Sequence, residues 1–378
     1  MQLGASVGVE VFSPDFTPLG PLERKTALRW LERFKSNGEF ELWCPITEQN
    51  TALLVKDNII WLGAESAGVI EYIDKERDKS SEFEFHVKGR MLECKLEGRV
   101  LHPTFNYSGQ ASGAMRDMVG KFCVSPEDDS RRITNLFLAE LGENFGGNIS
   151  YQQTGSDVLE EQIFLSEANN VGFTVAFDPF NKQYLYKVLK PIDRSWSQVE
   201  NDPVVFDSAS DEILDSKYTI NWANGRNVAV VAGEGEGSDR IVIEVFDPSY
   251  VDGDVRKELW VDARDLQKED SDGNTLTDDE YKELLRQRGL QRLSEYRYVE
   301  SFKSTIKTFG YQQNVYGVDF LLGDIVTVID RELGVTVNTQ VTEVEQTWDS
   351  KGYQIDITFG NPQPTILDVI RREVRLNG

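Results

Sequence analysis

Two histidines, three cysteines and 64 carboxylate side chains are the groups from which this 378-residue chain could build reactive chemistry. Histidine is the usual acid–base group and metal ligand near neutral pH. With only His86 and His102, a histidine-rich metal site is excluded, whereas carboxylate-based catalysis is not. His86 falls on the polar face of an alternating stretch, beside Glu84 and Lys88, and reads as a solvated or interface side chain. His102 precedes Pro103, whose ring biases the residue before it toward extended backbone and suggests a strand end. No cysteine or second histidine stands at metal-ligand spacing from it. Cys44, Cys94 and Cys123 are odd in number and far apart. They form neither a disulfide framework nor a CxxC pair, which fits a reducing site of synthesis. A glycosidase-type carboxylate pair is defined by the distance between its carboxyl groups, so none is singled out by sequence.

Three short motifs approach known chemistry and fall short of it. Gly4-Ala5-Ser6-Val7-Gly8 matches G-x-S-x-G, but that chemistry needs a strand before the serine, and only three residues precede Gly4; a flexible start to the chain is the reading. Gly233-Glu234-Gly235-Glu236-Gly237 follows a strand-like run, yet it matches neither phosphate-loop order and its glutamates repel phosphate. It reads as a mobile hairpin loop. Lys268 to Asp279 places Gly273, Asp270 and Asp272 as a calcium loop would. However, it puts a cation at the first ligand position and Asp279 where a bidentate glutamate is usual. No catalytic, cofactor-binding or metal-binding residue is identified, and no cofactor is expected.

The elements that would position any site are mostly strands. Glu82 to Lys88 alternates, with Phe83, Phe85 and Val87 on one face, and Ala67 to Ile73 is its hairpin partner; the charged tract Asp74 to Ser81 is expected as the loop. Asn37-Gly38 turns into a strand over Glu39 to Trp43. Then the pattern changes. Met115, Met118, Val119 and Phe122 share one helical face, and Ser156 is placed to cap a helix over 157–169. Val171 to Phe177 and Tyr184 to Val188 alternate around the turn Asp178-Pro179-Phe180-Asn181. Strands return with Asn227 to Ala232 and Arg240 to Phe246. Thr277-Asp278-Asp279-Glu280 is a capping box opening a helix with Tyr281, Leu284, Leu285, Leu293 and Tyr296 in a stripe. Near the end, Ile325 to Ile329 follows a turn. Val335, Val337 and Val341 share one parity and Val344 and Trp348 the other, which predicts a bulge near Thr342. Tyr353, Ile355, Ile357 and Phe359 line one face of the last strand.

These patterns give an α+β chain, mainly antiparallel β. At roughly 150 residues per domain, the length allows two or three. We place an N-terminal β domain at 1–104, an α+β domain at 105–203 and a second β domain at 204–378 with an inserted helix near 278–297. The formal charge is −24, from 40 Lys and Arg against 64 Asp and Glu. That balance argues against sequence-specific nucleic-acid binding and against stable docking on anionic membranes. No run of 18 apolar residues is present, and the N-terminus lacks the basic and apolar regions of a secretion signal. A soluble, acidic, multidomain protein made in a cytosol is the expectation. With 7 Trp, 13 Tyr and 20 Phe, some aromatics are expected at interfaces.

Several stretches in order resemble a family of siphophage tail proteins typified by one gene product of a Rhodococcus phage, related to the baseplate hub and to the N-terminal region of tail-associated lysins. They include Ser36 to Leu42, Ala67 to Ile73, Val87 to Arg90, Val231 to Gly237, Val261 to Leu266, Tyr316 to Asp319, Leu322 to Val326 and Thr358 to Pro362. Met1 to Gly8 looks like an extension before the family's first strand, here near Val9 to Phe12. The resemblance implies a homotrimeric ring at the tip of a tail tube. Two barrel-like β domains per chain would give pseudo-sixfold symmetry, with an α+β insertion decorating or plugging the ring. It implies a virion component made in the bacterial host cytoplasm that takes part in host attachment and DNA delivery. The implied partners are the distal tail protein, tail tube, tape measure protein and receptor-binding proteins. DNA would pass through the lumen without specific binding, past a lining whose acidity repels phosphate. The family offers no catalytic residues to carry over. Lytic activity in tail-associated lysins usually lies in a separate C-terminal region, and this chain stops shortly after its last strand pattern. The alternatives are a tail-associated cell-wall hydrolase using unassigned carboxylates, or a carbohydrate-binding receptor module.

Overall fold

The computed structural model describes residues 7–77, 83–210 and 212–360, apart from 224, 238–239, 249, 252, 270–274, 297 and 308–313. The first strands are β1 (Glu10–Phe12), β2 (Pro18–Pro21), β3 (Ala27–Arg33) and β4 (Glu39–Pro45). After a short helix α1 (Glu48–Leu53) come β5 (Ile59–Trp61), β6 (Ala67–Arg77) and β7 (Phe83–Met91). Period-two alternation sends Leu28, Trp30, Phe40, Leu42, Phe85 and Val87 into one core and the intervening charged residues outward. The turn before β4 requires Gly38, because a Cβ there would lie 2.3 Å from the Leu31 carbonyl oxygen. The expected loop from Asp74 is corrected: β6 runs to Arg77, pairing Asp74 with His86 and Arg77 with Phe83. Continued ladder pairing overrides the weak strand propensity of these charged residues. The rest of that tract, 78–81, lies outside the described residues.

A 3₁₀ turn at Leu92–Leu96 leads into β8 (Phe105–Gln110), α2 (Ala111–Val119), β9 (Leu136–Leu138) and β10 (Asn148–Gln153). Next come α3 (Val158–Asn169), β11 (Gly172–Asp178) and β12 (Gln183–Leu189). Met115, Met118, Val119 and Phe122 are buried together, as their spacing predicts. The cap of α3 is Asp157, not Ser156. The Asp157 carboxylate accepts from the Leu159 and Glu160 N–H groups at 2.9 and 3.4 Å, while the Ser156 hydroxyl is taken by the Gln153 amide. A carboxylate also suits the positive end of the helix dipole.

The remaining strands are β13 (Val205–Asp207), β14 (Ile213–Asn221), β15 (Val228–Ala232), β16 (Val242–Phe246) and β17 (Glu258–Asp262). After α4 (Asp278–Ser294) follow β18 (Val299–Ile306), β19 (Ile325–Asp330), β20 (Val335–Asp349) and β21 (Gly352–Gly360). The capping box forms as expected, with the Thr277 N–H donating to Glu280 at 2.8 Å and the Glu280 N–H to the Thr277 hydroxyl at 3.3 Å. Tyr281, Leu285, Leu293 and Tyr296 pack on the β16–β15–β17 sheet in a core of their own. The β20 register shifts between Val341 and Glu343, the bulge that the change of parity predicts.

One 13-stranded sheet runs β14-β18-β21-β20-β3-β4-β7-β6-β5-β1-β2, with β19 and β13 branching from β20. The expected closed, barrel-like units are not found among the described residues. β3 pairs with β20 from Arg33 opposite Glu343 to Leu28 opposite Trp348, so the first β block continues into the last. Two smaller joints lock the rest. Buried Arg288 of α4 donates to Asp265 at 2.9 Å, to the Gln152 carbonyl at 3.2 Å and to Gln153 at 3.1 Å, tying α4 to β10. Phe34, fully buried, sits against both Gly172 and Gly323.

Candidate functional surface

Pairing register places one side-chain set on a common face across eight strands, from β14 to β6. One row runs Lys217, Lys303, Thr358, Glu343, Arg33. The next runs Asp215, Thr305, Asp356, Glu345, Leu31, Glu39, Arg90. A third runs Gln354, Thr347, Arg29, Glu41, Lys88, Tyr72. The opposite face of β3, β4, β7 and β21 is largely apolar and buried, so alternation alone sends these polar side chains to the outer face.

Oppositely charged side chains engage across the middle of this face. Arg29 donates to Glu39 at 3.1 Å, Glu41 at 3.2 Å and Glu345 at 2.9 Å. Arg33 donates to Glu343 at 3.0 Å. Glu41 also meets His86 at 2.9 Å and Lys88 at 3.2 Å, and Arg90 bridges Glu71 and Glu97, each at 2.7 Å. Burial works against the charge on Glu41, yet His86 and Lys88 hold its carboxyl below the usual value. Bonds to Glu71 and Glu97 raise the Arg90 guanidinium further above its already high value. Each such partly exposed pair contributes about 0.2–1 kcal/mol. The arrangement therefore matters less for stability than for the surface it makes, whose central cations are already engaged by carboxylates. Such a face offers phosphate few free partners.

The two histidines separate. His86 stacks on Trp43, with ring centroids 4.6 Å apart, and bonds Glu41, so it is a member of this face and not a solvated side chain. His102 is exposed before β8, and its carbonyl accepts from Arg131 at 2.6 Å. Burial pushes the thiols of Cys44, Cys94 and Cys123 up to about 12, far from nucleophilic. The glycine-rich stretch at Gly233 is anchored, not a phosphate cradle. The Tyr281 hydroxyl accepts from the Glu234 N–H at 2.7 Å and donates to the Leu266 carbonyl at 2.9 Å, and Arg240 donates to the Gly233 carbonyl at 2.8 Å. In the calcium-like stretch, Lys268 pairs with Asp278 at 2.5 Å, while 270–274 lie outside the described residues, as does Ser6. No group of three or more potential metal ligands occurs among the described residues, and no described helix is long and apolar enough to cross a membrane.

Sequence reading did not single out Arg29, Arg33, Glu343 or Glu345. The available signal was charge at the polar positions of alternating strands. What joins them is register between strands more than 300 positions apart, which composition and periodicity do not encode.

The sequence profile described as Siphovirus ReqiPepy6 Gp37-like protein matches residues 8–361. Comparison with curated proteins finds no match. Among solved structures, the chain is similar to the prophage MuSo2 43 kDa tail protein from Shewanella oneidensis, with a TM-score of 0.57 and 14% identity over 94% of this chain and 98% of that one. It is also similar to the tail protein from Neisseria meningitidis MC58, with a TM-score of 0.54 and 14% identity over 93% and 95%. Prophage tail protein gp18 from Listeria monocytogenes EGD-e gives a TM-score of 0.54 and 11% identity over 98% and 99%. At such identities the likeness is one of fold.

Proposed function

The chain belongs to the siphovirus ReqiPepy6 Gp37-like family of phage tail proteins, and from that membership we propose that it is the structural hub of the tail tip, with copies forming a ring that continues the tail tube. The observation that carries this reading is the polar face spanning β14 to β6. A tube wall needs a broad, rigid surface, and a lumen that passes DNA needs one that does not hold phosphate. Salt-bridged carboxylates and guanidinium groups meet both needs, because the cations are satisfied locally and the acids repel the backbone. The expectation of general acidity becomes more specific here: local pairing, with acids in excess in the chain as a whole, keeps adhesion weak.

The division at 1–104, 105–203 and 204–378 belongs to the same proposal, with the two β blocks as wall and the α+β block and α4 unit outside it. So do a homotrimeric state, location at the virion tail tip, contacts with the distal tail, tube, tape measure and receptor-binding proteins, and a part in host attachment and DNA delivery. No residue is assigned a catalytic role. The test is labelling of intact virions with antibodies against this chain, together with native mass of the purified protein. Tail-tip labelling and a mass near three times 42.9 kDa are expected. Label along the tail shaft or on the capsid overturns the hub assignment. Cell-wall clearing abolished by one Asp or Glu substitution overturns the purely structural role.

A further inference from the structure

The small β16–β15–β17 sheet has one face on α4 and one face open. Ala229, Val231, Val245, Leu259 and Val261 belong to the core that it shares with α4. Alternation turns the intervening side chains outward, where an open sheet face normally carries polar residues. Here that face carries Trp260, Val242 and Phe246, exposed by 56%, 47% and 42%. Trp260 and Glu244 both stand opposite Val230 of the central strand, and Phe246 stands opposite Val228. The two aromatic residues therefore lie two strands and two positions apart, roughly 12 Å along a diagonal of the sheet.

Arginines brace both rings, and carboxylates hold the arginines. The Arg240 guanidinium lies over Trp260 and that of Arg256 over Phe246, each 5.8 Å from the ring centre. Arg240 pairs with Asp262, which Arg264 also meets at 2.6 Å. Arg256 meets Glu258 at 2.6 Å and pairs with Glu244 as well. Three arginines thus answer three carboxylates, and the charge of the face is balanced locally. A guanidinium and a carboxylate each have more hydrogen-bonding sites than such a pair uses, so the rim can still donate and accept.

Area and charge together select the occupant. From strand spacing and rise the open face covers roughly 250 Å², against about 800 Å² per partner in a stable protein interface. Its balanced charge draws neither an anionic polymer nor a cationic one. An uncharged sugar chain meets both conditions. One side of a sugar ring presents C–H groups, which pack on the electron-rich face of an aromatic ring. Its hydroxyl groups both donate and accept, and so suit guanidinium and carboxylate together. We propose that the outer face of β16–β15–β17 binds an uncharged oligosaccharide laid diagonally across Trp260 and Phe246, with Arg240, Asp262, Glu244 and Arg256 bonding its hydroxyl groups. The site needs only this small sheet and does not depend on the ring reading.

The test uses the full chain and a panel of uncharged oligosaccharides of glucose, galactose, rhamnose and N-acetylglucosamine, with an oligouronate as the charged contrast. Binding is read by calorimetry and by tryptophan fluorescence. An uncharged member of the panel is expected to bind the wild type and change its fluorescence. Trp260→Ala and Phe246→Ala are each expected to weaken that binding about tenfold, the worth of one stacking contact, without moving the melting curve. Trp196→Ala, which removes a different exposed tryptophan, should bind as the wild type does. Hydroxyl-radical labelling of intact virions is expected to mark Trp260 as strongly as in the free chain. No binding across the panel, equal binding by Trp260→Ala, or preference for the oligouronate would each overturn the proposal. So would protection of Trp260 in the virion, which would make this face a protein interface.

Discussion

Arg33 of β3 donates its Nε to Glu343 of β20 at 3.0 Å, a bond between side chains 310 positions apart. It marks the line along which the first and last β blocks become one sheet. A sequence divided into N-terminal and C-terminal β units gives no sign of this seam, because each strand alone is complete in pattern. Only the β3–β20 register shows that the sheet is continuous, and the proposed role depends on that continuity.

Arg29 is the charge centre of the seam. Its guanidinium answers Glu39, Glu41 and Glu345 together; partial burial opposes its charge, yet bonds to Glu345 and Glu39 raise its pKa. Arg29→Ala would leave three carboxylates without their shared partner. A loss of about 1–2 kcal/mol is expected, above the usual value for one exposed pair because several charges share the site. Urea unfolding at two ionic strengths checks it. The deficit should shrink at high salt, since screening weakens the remaining repulsion.

Phe34 tests the joint between the sheet and the α+β block. A Cβ added at Gly172 or at Gly323 would lie 2.2 Å from its ring, and Gly323 also has a φ of +96° that other residues rarely adopt. Gly172→Ala is expected to cost about 1–3 kcal/mol through overpacking. Phe34→Ala should cost about 3–5 kcal/mol through the cavity it leaves. Combined, the two should cost less than their sum, because the ring that the added methyl group strikes is gone. Additive losses in denaturant titrations would contradict this packing.

Local elements were legible where one physical signal decided them. The Thr277–Glu280 capping box, the buried helical stripe of Met115, Met118 and Val119, and the bulge at Thr342 all follow from spacing a few residues wide. Misreadings arose where neighbours compete: Asp157 displaces Ser156 as the α3 cap, and cross-strand pairing carries β6 through charged residues to Arg77. His86 was legible as a polar-face residue, but its bond to Glu41 depends on strand order. The glycine-rich stretch at 233–237 was legible as a turn, whereas its anchor, Tyr281, lies 47 positions away from Glu234.

Arg288 tests the second joint. It is buried, and Asp265, Gln152 and Gln153 answer its donors. Burial opposes its charge, and Asp265 outweighs that and raises its pKa. Arg288→Met keeps much of the volume but leaves Asp265 and the Gln152 carbonyl unanswered. Because Asp265 is half exposed, water recovers part of the loss, and about 1–3 kcal/mol is expected. Hydrogen exchange should quicken in α4 and β10 while the β3–β20 seam keeps its protection. Uniform acceleration would argue against a local joint.

Glu93 gives the chain a pH response of definite sign. Its Oε1 accepts from the Thr174 hydroxyl at 2.7 Å and the Val175 N–H at 3.2 Å, while Oε2 is buried without a partner among the described residues. Burial pushes the carboxyl from 4.5 up to about 7, with Thr174 and the Val175 N–H pulling it back and Glu32 pushing it further. The unfolded chain releases this proton near 4.5, whereas the folded chain holds it until about 7. Folding therefore binds a proton in that window, and this group's contribution weakens as pH rises through it, levelling off above. Glu93→Gln keeps an acceptor for Thr174 and removes the titration. Unfolding midpoints should match the wild type near pH 4 and exceed it at pH 8, by up to roughly 3 kcal/mol in stability. Parallel stability curves across that range would show that the carboxyl is already ionised, and satisfied, in the folded chain.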